Sequence, residues 1–237
     1  VANSYTITTA DAGALLRVIA KVSYPGLAAV TKEYKVGIPL AEGQYFVDIL
    51  TTHVLAERIG WLFEEGITLG YQTQYGAEYR PNNSVTRAEM ATFMYRLAGS
   101  PAFSAPVKSP FTDVSPSAGS YKAVAWLVDK KISSGYQGAS GAEYRPNNSV
   151  TRAEMATFLY RLAGSPAFNA PQKSSFADVS VGAGYFKAME WLVAQGVTSG
   201  YQGASGAEYR PNNSVTRGEM ATFLWRMDSK ELVTSAS

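Results

Sequence analysis

The chain has 237 residues, of which 46% are hydrophobic and 17% charged, and this composition excludes the class of weakly hydrophobic, highly charged disordered chains. The 21 Lys and Arg residues against 19 Asp and Glu residues give a formal net charge of +2, which is too balanced for a general nucleic-acid-binding protein. No apolar run approaches the ~18–20 residues of a membrane-spanning helix. We therefore predict no nucleic-acid partner and no insertion into a membrane.

Cysteine is absent from the chain, which excludes disulfides, thiol catalysis and cysteine-ligated metals. His53 is the single histidine, so a multi-histidine metal site is excluded as well. No Gly-rich phosphate loop or nucleophile elbow is present. We expect no metal, no cofactor and no catalytic residue. The cysteine-free composition fits work outside a cell, and the start at Val1 favours a processed or trimmed piece of a longer protein.

Residues 1–45 differ in character from the rest of the chain. β-Branched residues are frequent in Tyr5–Thr8, Leu15–Val22 and Thr31–Val36, and turn residues separate these segments. The pattern predicts a small N-terminal β segment. It is either the C-terminal part of an immunoglobulin-like module or a small sheet packed on the following residues.

The remainder consists of three copies of one unit. Equivalent residues recur at intervals of 65, and residues 76–93 recur without change at 141–158. Such self-similarity is the sequence signature of a repeat architecture. We set the repeats at 46–103, 104–168 and 169–237.

Each repeat is predicted to be a helix, a long loop and a second helix. In the second repeat, Tyr121–Lys130 has apolar residues at helical spacing, and a loop rich in Gly, Ser and Asn follows, with Ala142–Tyr144 as a short extended piece. Thr151 and Glu154 form the sequence pattern of a capping box at the start of the second helix. The same pattern occurs in the other repeats, at Thr86/Glu89 and Thr216/Glu219. The prediction is six helices and a mainly α fold.

A unit with two short helices cannot cover its own apolar face. Three units in a row can do so as a linear stack or as a closed pseudo-threefold cluster. The helical pattern does not decide between these two arrangements.

Four motifs follow one another in each repeat. In the second repeat they are Phe-Thr-Asp-Val at 111–114, Gly-Tyr at 135–136, Tyr-Arg-Pro at 144–146 and Val-Thr-Arg-Ala-Glu at 150–154. In this order they resemble the S-layer homology domain, and the resemblance covers roughly residues 46–228.

The resemblance implies a mainly helical fold with the three repeats in a pseudo-threefold arrangement and grooves between them. It implies non-covalent attachment to cell-wall polysaccharide, often an anionic and pyruvylated secondary polymer. The location implied is extracellular, at the cell wall of a bacterium. The arginines of the Thr-Arg-Ala-Glu motif are typically central to binding, and here they are Arg87, Arg152 and Arg217.

These motif arginines lie at an electrostatically unfavourable position. A cation near the start of a helix is mildly unfavourable, by a few tenths of a kcal/mol, because the N-terminus is the positive end of the helix dipole. Three such placements indicate a role, either a guanidinium that binds a sugar carboxylate or a salt bridge between repeats, with an aspartate as partner. The aspartates considered are Asp48, Asp113 and Asp178.

The other candidate ligand-binding residues are aromatic or acidic. Tyrosines after a turn glycine are expected to line a groove, namely Tyr71, Tyr136 and Tyr201. Tryptophans of the first helices stack on a sugar or pack in the core, namely Trp61, Trp126 and Trp191. The three aspartates either cap backbone groups or touch the ligand.

Three functions remain open at this point. The first is a non-catalytic cell-wall anchor, and the second is a structural, self-associating spacer without a glycan ligand. The third is a wall hydrolase, against which the near-identical environments of Glu89, Glu154 and Glu219 argue, since a glycosidase needs two carboxyl groups with unlike pKa values. A catalytic domain elsewhere in a longer parent protein stays compatible with all three.

Overall fold

A computed structural model describes residues 15–22, 30–37, 40, 42–204 and 206–233. The predicted segment Tyr5–Thr8 and the turns at 11–13 and 24–26 lie outside the described residues. The chain divides into two compact units, one of residues 1–64 with 68–80 and one of residues 65–67 with 81–237.

The described residues of the first unit form two antiparallel strand pairs. Strands β1 (Leu15–Val22) and β2 (Val30–Gly37) pair with Leu15 opposite Gly37 and Val22 opposite Val30, and they occupy two of the segments predicted as strands. Helix α1 (Ala56–Glu64) follows, and then a hairpin of β3 (Tyr71–Thr73) and β4 (Gly76–Glu78).

The second unit holds the remaining helices and two further hairpins. In chain order its elements are α2 (Arg87–Leu97), α3 (Tyr121–Asp129), β5 (Tyr136–Gly138), β6 (Gly141–Glu143), α4 (Arg152–Leu162), α5 (Phe186–Ala194), β7 (Tyr201–Gly203), β8 (Gly206–Glu208) and α6 (Arg217–Ser229). Within the described residues, none of these helices is both long and apolar enough to cross a membrane.

The mainly α class is wrong, because each repeat carries an antiparallel hairpin between its two helices. Among the described residues, the six helices lie where the sequence predicts them. In each repeat, however, the loop between the two helices folds back and pairs with itself. Gly135, with φ of +69°, turns the chain into the hairpin, and a side chain there would meet the carbonyl oxygen of Glu143 at 2.6 Å. Strands of three residues are too short to show the alternation on which strand prediction depends.

The three predicted capping boxes are confirmed. The Thr151 side chain accepts a hydrogen bond from the backbone N–H of Glu154, and Glu154 Oε2 accepts one from the backbone N–H of Thr151 at 2.9 Å. The same reciprocal bonds start α2 and α6. Each helix start is therefore fixed to within a residue, and the arginine after each threonine has a defined position.

Helices of successive repeats pack against each other in the second unit. Helix α2 of the first repeat lies against α3 of the second, and α4 lies against α5 of the third. Trp126 on α3 meets the ring of Tyr95 edge-on, with 5.4 Å between ring centroids, and Trp191 meets Tyr160 in the same way. The apolar face that one repeat leaves open is thus covered by the next.

Candidate functional site

The starts of the three second helices hydrogen-bond to one another in a closed cycle. The backbone N–H of Val85 donates to Val215 at 2.9 Å, that of Val215 to Val150 at 2.8 Å, and that of Val150 back to Val85 at 2.9 Å. The residue after each valine is the capping threonine, and the motif arginine comes next. The cycle therefore brings the three motif arginines to equivalent positions around one centre.

All three motif arginines are buried, with 2–3% of the residue exposed. Each pairs with the capping-box glutamate of another repeat, through Nη1 and Oε1. The distances are 2.9 Å for Arg87–Glu154, 2.9 Å for Arg152–Glu219 and 3.0 Å for Arg217–Glu89. The salt-bridge interpretation thus describes their contacts, but the expected aspartate partner is wrong.

The guanidinium of Arg87 is held on several sides. Its Nε donates to the carbonyl oxygen of Tyr144 at 2.7 Å, and its Nη2 donates to Ser133 Oγ at 3.4 Å. It lies 4.8 Å from the ring centroids of both Tyr136 and Tyr144. Arg152 has the corresponding bond, with its Nε 2.7 Å from the carbonyl oxygen of Tyr209. An arginine has a planar set of donors and stacks on aromatic rings, and a lysine does neither.

Glu154 connects three groups at the same place. One carboxylate oxygen caps α4, and the other accepts from Arg87 and from the hydroxyl of Tyr136. Burial, followed by the hydrogen bond to Glu154, raises the pKa of the Tyr136 hydroxyl above its ordinary value. In the third repeat, Tyr201 donates to Glu219 of the same repeat, and the pKa of the Tyr201 hydroxyl is raised for the same reasons.

The aspartates of the first motif contact backbone groups. Asp113 Oδ1 accepts from the N–H of Tyr144 at 2.8 Å, and its Oδ2 accepts from the N–H of Arg145 at 2.7 Å. Arg145 has φ of +59°, a conformation that non-glycine residues rarely adopt. Asp48 and Asp178 hold the corresponding turns. Their carboxylates thus stabilise the turn that ends each hairpin.

The predicted aromatic residues divide into two groups. Trp126 and Trp191 are 2% and 4% exposed and pack between repeats, and Trp61 on α1 is half-buried. Tyr71 lies beneath the guanidinium of Arg80, which is 4.4 Å from the ring centroid. Its counterparts Tyr136 and Tyr201 are partly exposed.

Two open pockets lie beside the buried ion pairs. The Arg87 pocket has a volume of about 150 Å³ and is lined by Arg87, Ser133, Ser134, Gly135, Tyr136, Glu154, Thr157, Phe158 and Arg161. The Arg152 pocket, of about 140 Å³, is lined by Arg152, Thr198, Ser199, Gly200, Tyr201, Glu219, Thr222, Phe223 and Arg226. Each pocket thus combines one residue of one repeat with a wall from the next.

Sequence reasoning missed the last arginine in each pocket. Arg161 donates through Nη1 to the carbonyl oxygen of Ile132 at 3.0 Å, and Arg226 donates to that of Val197 at 2.9 Å. Both recur at the interval of 65 residues, which was the available signal. In the described part of the chain, no group of three His, Asp or Glu side chains is placed to hold a metal ion.

A comparison with protein families decides the affiliation of the chain. The model of the S-layer homology domain matches residues 46–91, 110–156 and 175–221, together more than half of the chain. The chain belongs to the S-layer homology domain family. Each match lies within one of the three repeats that the sequence predicts.

Several curated proteins are similar to this chain. A cellulosome-anchoring protein of Acetivibrio thermocellus is 30% identical over 64% of this chain and 33% of its own length. A surface-layer 125 kDa protein of Lysinibacillus sphaericus is 29% identical over 72% of this chain and 14% of its own length. The S-layer protein Sap of Bacillus anthracis is 29% identical over 83% of this chain and 23% of its own length. The chain therefore spans a third or less of each of these relatives.

Proposed function

We propose that the three repeats attach a bacterial surface protein to the cell wall by binding an anionic, pyruvylated secondary polysaccharide in the pockets between neighbouring repeats. Membership of the S-layer homology family supports cell-wall anchoring, as do relatives named as anchoring and surface-layer proteins. The location that follows is extracellular, at the bacterial cell surface.

The charge of the Arg87 pocket carries the proposal. The positive charge of Arg87 is matched by the carboxylate of Glu154 at 2.9 Å. Arg161 adds a second positive charge, and among the described residues no other carboxylate lines the pocket. The lining residues of the Arg152 pocket repeat this pattern with Arg152, Glu219 and Arg226. The described lining of each pocket thus holds two guanidinium groups and one carboxylate, and this excess of positive charge favours an acidic sugar group over a neutral one.

The motif arginines and the groove tyrosines of the two pockets have a place in this proposal. The motif arginine orients the glutamate and the tyrosine hydroxyl, and those oxygens meet sugar hydroxyl groups. Ser134 and Thr157 complete the polar wall of the Arg87 pocket. A pocket of about 150 Å³ is smaller than the ~300–1,000 Å³ of sites for drug-sized ligands and suits a single sugar residue.

Repetition raises the strength of attachment. A polymer presents the same acidic unit many times, so binding in a second pocket of the same chain is effectively intramolecular. Weak individual pockets then give firm retention on a wall. Nothing in this function requires catalysis, and Glu154 and Glu219 are held by equivalent partners rather than in unlike environments.

Co-sedimentation with purified cell walls tests the proposal. The protein should pellet with intact walls and should remain in solution after mild acid has removed ketal-linked pyruvate from the same walls. Pelleting that survives this treatment would contradict the pyruvylated ligand. Failure to pellet with any Gram-positive wall preparation would contradict wall anchoring itself.

The buried ion pairs also favour a second candidate, a structural module that self-associates and has no glycan ligand. Arginines that are 2–3% exposed are well placed to hold repeats together and poorly placed to reach out. Light scattering against protein concentration, with and without wall polysaccharide, separates the two functions. Assembly that depends on concentration alone supports the structural module.

A further inference from the structure

A second cavity adjoins the Arg87 pocket. It has a volume of about 250 Å³ and lies where α2 and α4 end, beside α3. Arg161 lines both this cavity and the Arg87 pocket. We call it the tryptophan cavity, and its lining consists of Ala98, Trp126, Lys130, Ile132, Arg161, Leu162 and Gly164.

Trp126 forms part of the wall of this cavity. The residue is 2% exposed, and its indole Nε1 is buried without a hydrogen-bond partner within the described residues. A ligand in the cavity would contact the ring beside this buried N–H, so the indole resonance reports on occupancy of the cavity.

The charges around the cavity indicate what that ligand carries. Lys130 and Arg161 contribute two positive charges to the lining, and none of the described lining residues carries a carboxylate. Lys130 pairs with Asp129, whose Oδ2 lies 3.8 Å from Lys130 Nζ, and both side chains are about half exposed. Exposed pairs of this kind are weak, so Lys130 stays available to an anion.

We propose that the tryptophan cavity is a second subsite for an acidic sugar unit. This unit follows, along the polysaccharide, the unit bound in the Arg87 pocket. Arg161 stands between the two compartments and contributes a guanidinium to each. The shared chemistry is an anionic oxygen, either a carboxylate or a phosphate, that pairs with Lys130 and Arg161. This inference rests on the proposed function and extends it from single sugars to two consecutive units.

The subsite is specific to one repeat boundary. The residues at the place of Lys130 in the first and third repeats are Glu65 and Gln195. The Lys130→Gln substitution therefore installs the third repeat's own residue and removes the charge with little risk to the fold. The Lys131→Gln variant is a matched control, because Lys131 is adjacent, exposed and absent from the cavity wall.

The test follows the indole N–H of Trp126 by NMR, using the full chain and a soluble polysaccharide fraction released from bacterial walls. The Trp126→Phe variant identifies the resonance. We expect the polysaccharide to move it, and Lys130→Gln to weaken binding about fivefold, while Lys131→Gln changes it less than twofold. Two treatments of the fraction identify the anion. If it is a carboxylate, reducing the carboxyl groups should abolish the shift of the resonance; if it is a phosphate, cleaving the phosphodiesters with hydrofluoric acid should abolish it.

Two results separate this subsite from the proposed function. If the protein pellets with walls but the Trp126 resonance does not move, or if Lys130→Gln behaves like Lys131→Gln, the subsite is wrong and wall anchoring stands. If the protein does not pellet with walls, the proposed function fails, and the subsite fails with it.

Discussion

The motif arginines have a structural role, because they join neighbouring repeats through buried ion pairs. A guanidinium buried against a carboxylate of the next repeat is costly to uncover, because removing one partner leaves the other charge without its match. An arginine near a helix start is unfavourable by itself, and the glutamate three positions into the neighbouring helix compensates for it. Replacing these arginines would therefore disturb the pockets as well as any ligand contact.

Substitution of a motif arginine measures this role. Arg152→Ala should lower the free energy of unfolding by about 2–4 kcal/mol, below the full cost of breaking a buried pair because the Glu219 side chain is 26% exposed. Urea denaturation followed by tryptophan fluorescence provides the value. Arg145→Ala is the control, since the Arg145 and Glu143 side chains are 40% and 30% exposed and should contribute about 1 kcal/mol or less. Equal effects of the two substitutions would contradict the structural role.

The buried tyrosines make stability sensitive to alkaline pH. Burial raises the pKa of the Tyr144 and Tyr209 hydroxyls well above the ordinary value of 10.0. Above about pH 10 the unfolded chain loses these protons while the native chain keeps them, so the free energy of unfolding falls as pH rises. Each tyrosine contributes a slope of up to about 1.4 kcal/mol per pH unit.

The slope, rather than the absolute stability, is the measurement for these tyrosines. The double variant Tyr144→Phe/Tyr209→Phe should show a shallower decline between about pH 10 and 11.5, even though it loses two buried hydrogen bonds. Urea titrations at several pH values provide the slope. An unchanged slope would contradict a raised pKa of these two tyrosines in the native protein.

The hairpin is the element that distinguishes this fold from a helical array. Gly135 begins it with φ of +69°, close to the carbonyl oxygen of Glu143, and Asp113 fixes the turn that ends it. The hairpin places Tyr136 against Glu154 and forms one wall of the pocket.

Two glycine substitutions test the hairpin. Gly135→Ala combines positive φ with a close approach to backbone and should destabilise the protein by more than about 3 kcal/mol. Gly164→Ala shares the positive φ, at +79°, but its added methyl group meets nothing within 4 Å, so about 1 kcal/mol is expected. Thermal unfolding of both variants provides the comparison. A cost for Gly135→Ala no larger than that for Gly164→Ala would contradict the close packing at the hairpin.

The sequence predicts the local elements well and the contacts between repeats poorly. The capping boxes at Thr86, Thr151 and Thr216 follow from local spacing, and the structure confirms them. The sequence predicts the extended piece Ala142–Tyr144, which overlaps β6, but it does not predict the pairing into a hairpin, because each strand has only three residues. The choice of Glu154 over Asp113 as partner of Arg87 depends on a contact between residues 67 apart, which no local rule reports.

At the scale of the second unit, closure of the cycle is what joins the repeats. Each of Val85, Val150 and Val215 donates to one valine and accepts from another, so opening one junction removes a constraint from the other two. The ion pairs follow the same cycle, from Arg87 to Glu154, from Arg152 to Glu219 and from Arg217 to Glu89. The pockets exist because neighbouring repeats meet in this way.

Hydrogen exchange reports on this closure. The amides of Val85, Val150 and Val215 should exchange at the same slow rate, close to that of global unfolding, because none can open without breaking the cycle. Native-state exchange followed by NMR measures each amide separately. Rapid exchange at one of the three would indicate an open chain of repeats instead.

The central claim is that wall polysaccharide enters the pockets beside the buried ion pairs. Ser134 and Ser199 are exposed, occupy equivalent places and line the two pockets, so Ser134→Glu/Ser199→Glu introduces two negative charges without touching the ion pairs. Gln137→Glu/Gln202→Glu adds the same charge on exposed hairpin positions outside both pockets.

The decisive measurement is the affinity of these two variants for purified cell walls, determined by co-sedimentation at a fixed salt concentration. The serine variant should lose at least about tenfold in affinity, since each pocket then repels an acidic sugar, whereas the glutamine variant should stay within about twofold of the unmodified protein. Equal affinity of both variants would contradict binding in these pockets.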